Sequence, residues 1–323
     1  MNFLFIINKL IVEKIEKTEN KSFYFDVKWA WMYGNDQIVV DIMNFKYTNP
    51  NIWNKFNKNI WLIYLNSLIN LKEYERCDEI IKIYINKFGG ISDAFGYLNL
   101  ASYLYEKNIC NLKREAKIFD FLNSNNREIS EIIKKSRSIA IVGNGSSHID
   151  KYLGKEIDEH DIVVRFNNFK IDGYECDYGS KTDIWVRGLG EDIVEPKEID
   201  KISYVIFSND FKHIDLDNTN LGVLENYRIK NKVVTYLDSY FHRNLKVNSG
   251  IMFPTSGLLL VWYVYLIRGS LEKVSLYGFG FQSPEVSKYN EHYFESRNLR
   301  EAFRIGQDHN MIEEAKFLSN IYY

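Results

Sequence analysis

Proline is scarce in this chain: four residues in 323, with only Pro50 before residue 130. Nothing in the first third of the sequence therefore forbids long uninterrupted helices. Cysteine is scarcer still. Cys77, Cys110 and Cys176 are too few for a disulfide scaffold and show no metal-ligand spacing. Excess charge of either sign is missing. The net charge is -2 and the pI about 6.3, which gives no reason to expect a nucleic-acid partner. Long apolar runs are missing too. Met1–Val12 is interrupted by Asn8 and Lys9 and is too short to span a bilayer. No secretory signal pattern is evident. The expectation is a cytoplasmic protein whose first segment docks as a helix, with a peripheral inner-membrane contact through an amphipathic helix as the alternative. Oligomeric state is not legible.

What is present is ordinary for a soluble globular chain of about two domains: 46% hydrophobic and 26% charged residues. The 23 Tyr and 21 Phe accompany many Asn, Lys and Ile, a bias of composition rather than a stacking surface. Residues 1–130 read as helix. Ile60, Ile63, Tyr64, Ser67, Leu68 and Leu71, then Tyr74, Cys77, Ile80, Ile81 and Tyr84, recur at spacings of three and four. Gly89-Gly90 closes that pair. Tyr64-Leu65-Asn66 recurs as Tyr97-Leu98-Asn99, and Leu71 and Glu73 match Leu104 and Glu106. This weak echo has the period of TPR-like helix-turn-helix repeats. A plain helical domain fits the same residues equally well. Asp26–Phe45 offers a further hairpin, and polar Asn111–Ser136 leads to a boundary near residue 130.

From Ser138 the pattern changes to alternating strands and helices. Strand candidates are Ile139–Val142, Ile162–Arg165, Asp183–Val186, Tyr204–Phe207, Val233–Leu237 and Val274–Tyr277; helix candidates include Thr255–Ile267 and His309–Ile321. The alternation predicts an α/β second domain, residues 131–323, with a Rossmann-type doubly wound, mostly parallel sheet. Gly143-Asn144-Gly145-Ser146-Ser147 follows the first strand, and Arg165-Phe166-Asn167-Asn168 ends the second. Open sheets of this kind place ligands just past such strand ends. The dinucleotide fingerprint G-x-G-x-x-G is not met, because His148 occupies the third glycine position. That weighs against a dinucleotide oxidoreductase. Pro254-Thr255-Ser256-Gly257 opens an apolar helix, either as a simple cap or as an anion site built from free N–H groups. Asp215-Leu216-Asp217 reads as a turn, although such pairs hold divalent cations in many nucleotide-sugar enzymes.

The longer pattern is more specific. Val142 to Ser146, then Gly154, Glu156, Ile157, Asp158, His160, Asp161, Val163, Arg165 and Asn167, then Asp177, Gly179, Lys181 and Thr182, stand at the spacings of one motif. It resembles the large sialyl motif of glycosyltransferase family 29, the animal-type sialyltransferases. The Thr255 helix followed by Tyr277-Gly278-Phe279-Gly280 is similar to the small sialyl motif. His292-Tyr293-Phe294-Glu295 looks like the third motif, and His309 with Glu314 like the very short one. The resemblance covers about Ser138 to Ile321 and leaves residues 1–130 unexplained. Animal members join the start of the large motif to the small motif by a disulfide, and Ile139 and Leu271 stand at those places here. Apolar residues at both fit a reducing compartment. Asn144-Gly145-Ser146 also departs from the family's N-S-G.

The resemblance implies a GT-A-like fold and inverting, metal-independent transfer of a sugar from a CMP-linked donor to a glycan hydroxyl. No cofactor is implied beyond that donor, CMP-Neu5Ac or CMP-Kdo. Donor-binding positions carried over are Asn144, Gly145, Ser146, Asn167, Thr255, Ser256, Gly257, Tyr277 and Gly278. His292 would donate to the departing phosphate, His309 would be the general base, and Glu314 would orient or stabilise it. The leading expectation is a bacterial-type sialyltransferase decorating lipooligosaccharide or capsule. A Kdo transferase is the near alternative. A helical-repeat binding protein with an inactive transferase domain is the distant one.

Overall fold

The computed structural model describes residues 27–32, 34–47, 58–188, 193–210, 218–279, 293 and 311–322. The chain divides into two compact units. One comprises Met1–Leu122 with Phe211–Leu221 and Asp238–Val247, the other Asn123–Asp210, Gly222–Leu237 and Asn248–Tyr323. The chain thus passes between the units several times, whereas sequence patterning suggested one crossing near residue 130.

In the first unit α1 spans Asp36–Tyr47, α2 Lys58–Asn70, α3 Tyr74–Phe88 and α4 Leu98–Glu106, and α5, Lys113–Lys135, begins there. Every residue from Ile60 to Ile69 is buried, so α2 is enclosed on all sides. The apolar stripe of α3, Cys77, Ile80, Ile81 and Tyr84, packs into the same core. Gly89 ends α3 at φ +78, a left-handed turn that glycine adopts without strain. The internal echo does not mark equivalent positions. Tyr64 lies in the middle of α2, whereas Tyr97 precedes the first residue of α4. A TPR-like repeat is therefore not what spaces these residues.

The second unit is built on six strands: β1 Ile139–Val142, β2 Ile162–Phe166, β3 Ile184–Arg187, β4 Tyr204–Phe207, β5 Val233–Tyr236 and β6 Val274–Tyr277. They form one sheet in the order β5-β4-β3-β2-β1-β6. All five pairings are parallel. Strands covered on both faces read as unbroken apolar runs, and β1, β2 and β3 are buried at every residue. The order steps outward from β1 to β5, then returns to set β6 on the other side of β1. Open parallel sheets place their ligand crevice past the carboxyl ends of the strands at such a reversal, here β1 and β6. In sequence, α6 Gly154–Asp158, α7 Glu175–Tyr178, α8 Asn218–Ile229, α9 Ser239–Ser249 and α10 Ser256–Arg268 run between the strands, with α11 Met311–Tyr322 last; the start of α8 and most of α9 belong to the first unit. Leu258 to Val264 of α10 are all buried, and Gly269 caps it at φ +74. Each such apolar side chain contributes about 1.5–3 kcal/mol of burial. Ile139 and Leu271 are both buried. Among the described residues no helix is long and apolar enough to cross a membrane.

Candidate active site

The loop after β1 and the loop after β6 interlock. Gly143 N–H donates to the Tyr277 carbonyl at 2.7 Å, and Gly145 N–H to the Gly278 carbonyl at 2.8 Å. A Cβ on Gly143 would sit 2.7 Å from the Gly278 oxygen, and one on Gly278 2.3 Å from the Gly143 oxygen. Gly278 is also left-handed at φ +65. Both glycines are therefore required by close backbone approach.

Asn144 ties this loop to β2. Its side-chain amide donates to the carbonyls of Phe166 at 3.1 Å and Asn168 at 3.0 Å. Its own carbonyl accepts from Tyr293 N–H at 2.9 Å. Tyr293 follows His292 in the chain, so the third motif is pinned to the glycine loop at this residue. Tyr293 is buried and stacks on Tyr178 at 4.0 Å and 13°. Its hydroxyl exchanges hydrogen bonds with the backbone of Lys170. The Tyr178 hydroxyl donates to the Gly145 carbonyl at 2.7 Å and accepts from His148 N–H at 3.2 Å. Burial raises the pKa of both phenols.

Asn167 carries the next strand end. It adopts φ +46, a conformation asparagine tolerates better than most residues. Its side-chain oxygen accepts from Gly188 N–H at 2.8 Å, and its carbonyl accepts from the Trp185 indole at 2.9 Å. The small-motif helix is capped twice. Thr255 Oγ1 accepts from Leu258 N–H at 3.1 Å. The Glu314 carboxylate accepts from Thr255 N–H and from the Thr255 hydroxyl, each at 2.7 Å. Glu314 is 4% exposed, so it is no solvated helix acid. It holds α11 to the start of α10, where a carboxylate also meets the positive end of the helix dipole. Ser256 Oγ donates to Ser208 Oγ at 3.0 Å, and Gly257 lies against the Phe279 ring.

These contacts leave a defined set of polar groups open. Asn144 Oδ1, the Ser146 hydroxyl, Asn167 Nδ2 and the N–H groups of Ser256 and Gly257 have no protein partner among the described residues. They are two side-chain amide groups, a hydroxyl and a helix N-terminus, a set suited to phosphate, ribose hydroxyls and a base edge. Tyr277, a donor-binding position by resemblance, has its side chain engaged within the protein. Its hydroxyl donates to Glu156 Oε1 at 2.7 Å, and its ring packs edge-on against His148. His292, His309 and the Asp215-Asp217 pair lie outside the described residues, and no metal-holding cluster occurs among those described.

Most other large-motif residues serve the scaffold. Asp158 accepts from Ser180 N–H, Ser180 Oγ and Lys181 N–H at 2.9 Å. Asp177 accepts from the N–H groups of Asp150 and Tyr152. Desolvation raises its pKa, but these backbone donors outweigh it and hold the carboxyl below its usual range. Lys181 Nζ donates to the carbonyls of His160 and Asp161. Arg165 is buried; it donates to the Lys181 carbonyl, Thr182 Oγ1 and the Tyr178 carbonyl. Its Nη1 has no hydrogen-bond partner among the described residues, and burial pulls its pKa down. Sequence reasoning placed none of these ties, and it missed His148, whose Nδ1 accepts from Gly278 N–H at 2.9 Å.

The family model described as glycosyltransferase family 29 (sialyltransferase) matches residues 97–189 and 191–322. A chimpanzee (Pan troglodytes) protein named CMP-N-acetylneuraminate-beta-galactosamide-alpha-2,3-sialyltransferase 1 is 31% identical over 206 residues, covering 57% of this chain and 54% of that one. A human CMP-N-acetylneuraminate-beta-1,4-galactoside alpha-2,3-sialyltransferase is 26% identical over 216 residues, 58% of this chain and 55% of that one. The chain therefore spans about half the length of the curated relatives it matches. A crystal structure of a mammalian sialyltransferase aligns with a TM-score of 0.44 and 23% identity, covering 61% of this chain and 74% of that one.

Proposed function

The chain belongs to glycosyltransferase family 29, and from that membership we propose that it transfers sialic acid from CMP-sialic acid to a hydroxyl of a glycan. One observation carries the reading: hydrogen bonds tie the four motifs to one another. Gly145 meets Gly278 and Tyr293 meets Asn144, while Thr255 meets Glu314. The open groups on these motifs are of the kinds that a CMP moiety needs, which supports the reading. The relatives' names, which specify CMP-N-acetylneuraminate, favour sialic acid over Kdo.

The donor's leaving group is the CMP phosphate, and charge grows on it as the glycosidic bond lengthens. Donors fixed in advance stabilise such charge without reorganising. Asn144 and Asn167 are assigned to the nucleotide, with Ser146 beside them. Ser256 and Gly257 would offer their N–H groups to it. Thr255, its hydroxyl engaged by Glu314, sets their positions. Carried over from the family likeness, His292 donates to the departing phosphate. His309 removes the acceptor proton on the opposite side, giving inversion. Glu314, five residues on, fixes the helix that follows the base. The sheet unit is read as GT-A-like and the reaction as metal-independent. A bacterial-type cytoplasmic enzyme, in peripheral contact with the inner membrane and building lipooligosaccharide or capsule, is the setting we infer.

The test is CMP release from CMP-Neu5Ac and from CMP-Kdo, with and without glycan acceptors and EDTA, for wild type and His309→Ala. Release from CMP-Neu5Ac that survives EDTA and falls about 10²–10⁴-fold in the variant supports the reading. Release only from CMP-Kdo replaces the donor. Strict metal dependence overturns the metal-free mechanism. No release and no CMP binding overturn the transferase reading.

A further inference from the structure

His148 stands where two strand-end loops meet. It lies in the turn after Ser146, on the β1 side, yet its Nδ1 accepts from Gly278 N–H on the β6 side at 2.9 Å. Ser147 Oγ lies 2.9 Å from the same nitrogen. His148 N–H donates to the Tyr178 hydroxyl, which in turn holds the Gly145 carbonyl. The imidazole ring packs edge-on against Tyr178 at 6.3 Å and Tyr277 at 5.8 Å. A backbone N–H can only donate, so the facing nitrogen must carry a lone pair. The ring is therefore neutral with its proton on Nε2.

We propose that His148 is a positioning residue. Its imidazole, as acceptor at Nδ1, ties the loop after β6 to the loop after β1. It thereby sets the crevice that receives the CMP part of the donor. This deepens the donor reading above and rests on it. Neither Asn144 nor Ser146 can substitute, because no other side chain among the described residues bonds the Gly278 N–H. Protonation at Nδ1 would set an N–H against that N–H and break the tie. Burial holds the imidazole below its usual pKa, with Lys151 adding to this and Glu156 opposing it. The other titratable groups packed against it are the phenols of Tyr178 and Tyr277, both raised by burial. The tie is therefore intact at neutral pH and lost as pH falls through the folded-state pKa of His148.

Two measurements separate this inference from the donor reading. The first needs no ligand: nitrogen NMR of the His148 ring, and hydrogen exchange at the Gly278 amide, in wild type between pH 5 and 8. An unprotonated Nδ1 at pH 7.5, with Gly278 exchange rising on acidification beyond its intrinsic pH dependence, supports the tie. A proton on Nδ1 at that pH, or a Gly278 amide as fast as in His148→Ala, overturns it. The second is donor kinetics for His148→Ala and His148→Asn. Asparagine keeps an acceptor near the Nδ1 position but does not titrate. The alanine variant should raise donor KM about tenfold, one hydrogen bond's worth, with kcat within about twofold. The asparagine variant should restore KM and remove any acid-side rise in KM that wild type shows. Unchanged KM in the alanine variant, or kcat falling with KM constant, overturns the positioning role. If wild type neither binds nor cleaves CMP donors, the donor reading fails while the ring and exchange measurements still decide the tie.

Discussion

Two sets of polar groups in the sheet unit resemble each other in sequence and differ in what they do. Asp158, Asp177, Lys181 and Arg165 spend their hydrogen bonds on the protein's own backbone. Asn144, Ser146, Asn167, Ser256 and Gly257 keep at least one group open past the strand ends. Both sets belong to the motifs that mark the family, so motif membership does not distinguish a group spent on backbone from one left open. Geometry does. A group already satisfied by backbone contributes by fixing a loop, whereas an open group near a helix N-terminus is free to meet a ligand.

The contrast can be broken or sharpened by substitution. The largest stability effect is expected from Asp158→Ala. It strands the N–H groups of Ser180 and Lys181, and it should cost about 1–3 kcal/mol in denaturant unfolding with little change in donor KM. A KM effect without a stability loss would move Asp158 to the open set. Thr255→Val comes next, because Thr255 bonds within the protein while setting the place of Ser256 and Gly257 in the open set. Loss of the cap should cost about 1 kcal/mol. Loss of the Glu314 anchor should raise donor KM as well, so both readouts should move together. Ser146→Ala should do least to the fold. Its melting temperature should stay within the error of a scan, while donor KM rises a few-fold, as expected for one neutral hydrogen bond. A drop in melting temperature with unchanged KM would place Ser146 among the scaffold residues.

The strands were legible because buried parallel strands are short continuous apolar runs. All six candidates fall within a residue of their observed bounds. Motif spacing singled out Asn144 and Asn167, and both lie in loops just past strand ends. The ties that organise the crevice were not legible. Glu314 meets Thr255 from 59 residues away, and His148 meets Gly278 from 130 away. No local pattern announces such a pair, and an isolated Glu on a helix reads as solvated. The partner of the Tyr277 hydroxyl was not legible for a related reason. The residue's motif position puts the backbone at the loop, but its hydroxyl goes to Glu156. The division of the chain was blurred likewise, because Phe211–Leu221 and Asp238–Val247 join the first unit only through long-range packing.

The position of β6 beside β1 also has a consequence for biosynthesis. Ile139 pairs with Ile162 on one side and with Val274 on the other. Translation supplies the first neighbour almost at once. The stretch from Ile139 to Val274 takes about 7–27 s to make at roughly 5–20 residues per second. Through that interval β1 is an edge strand on the ribosome, with the hydrogen-bonding groups that β6 will claim still unpaired. Chains arrested before Val274 should be cut readily by protease near β1, and those arrested with β6 and α11 fully emerged should resist. The crevice is thus the last part of the sheet to close in the life of each molecule.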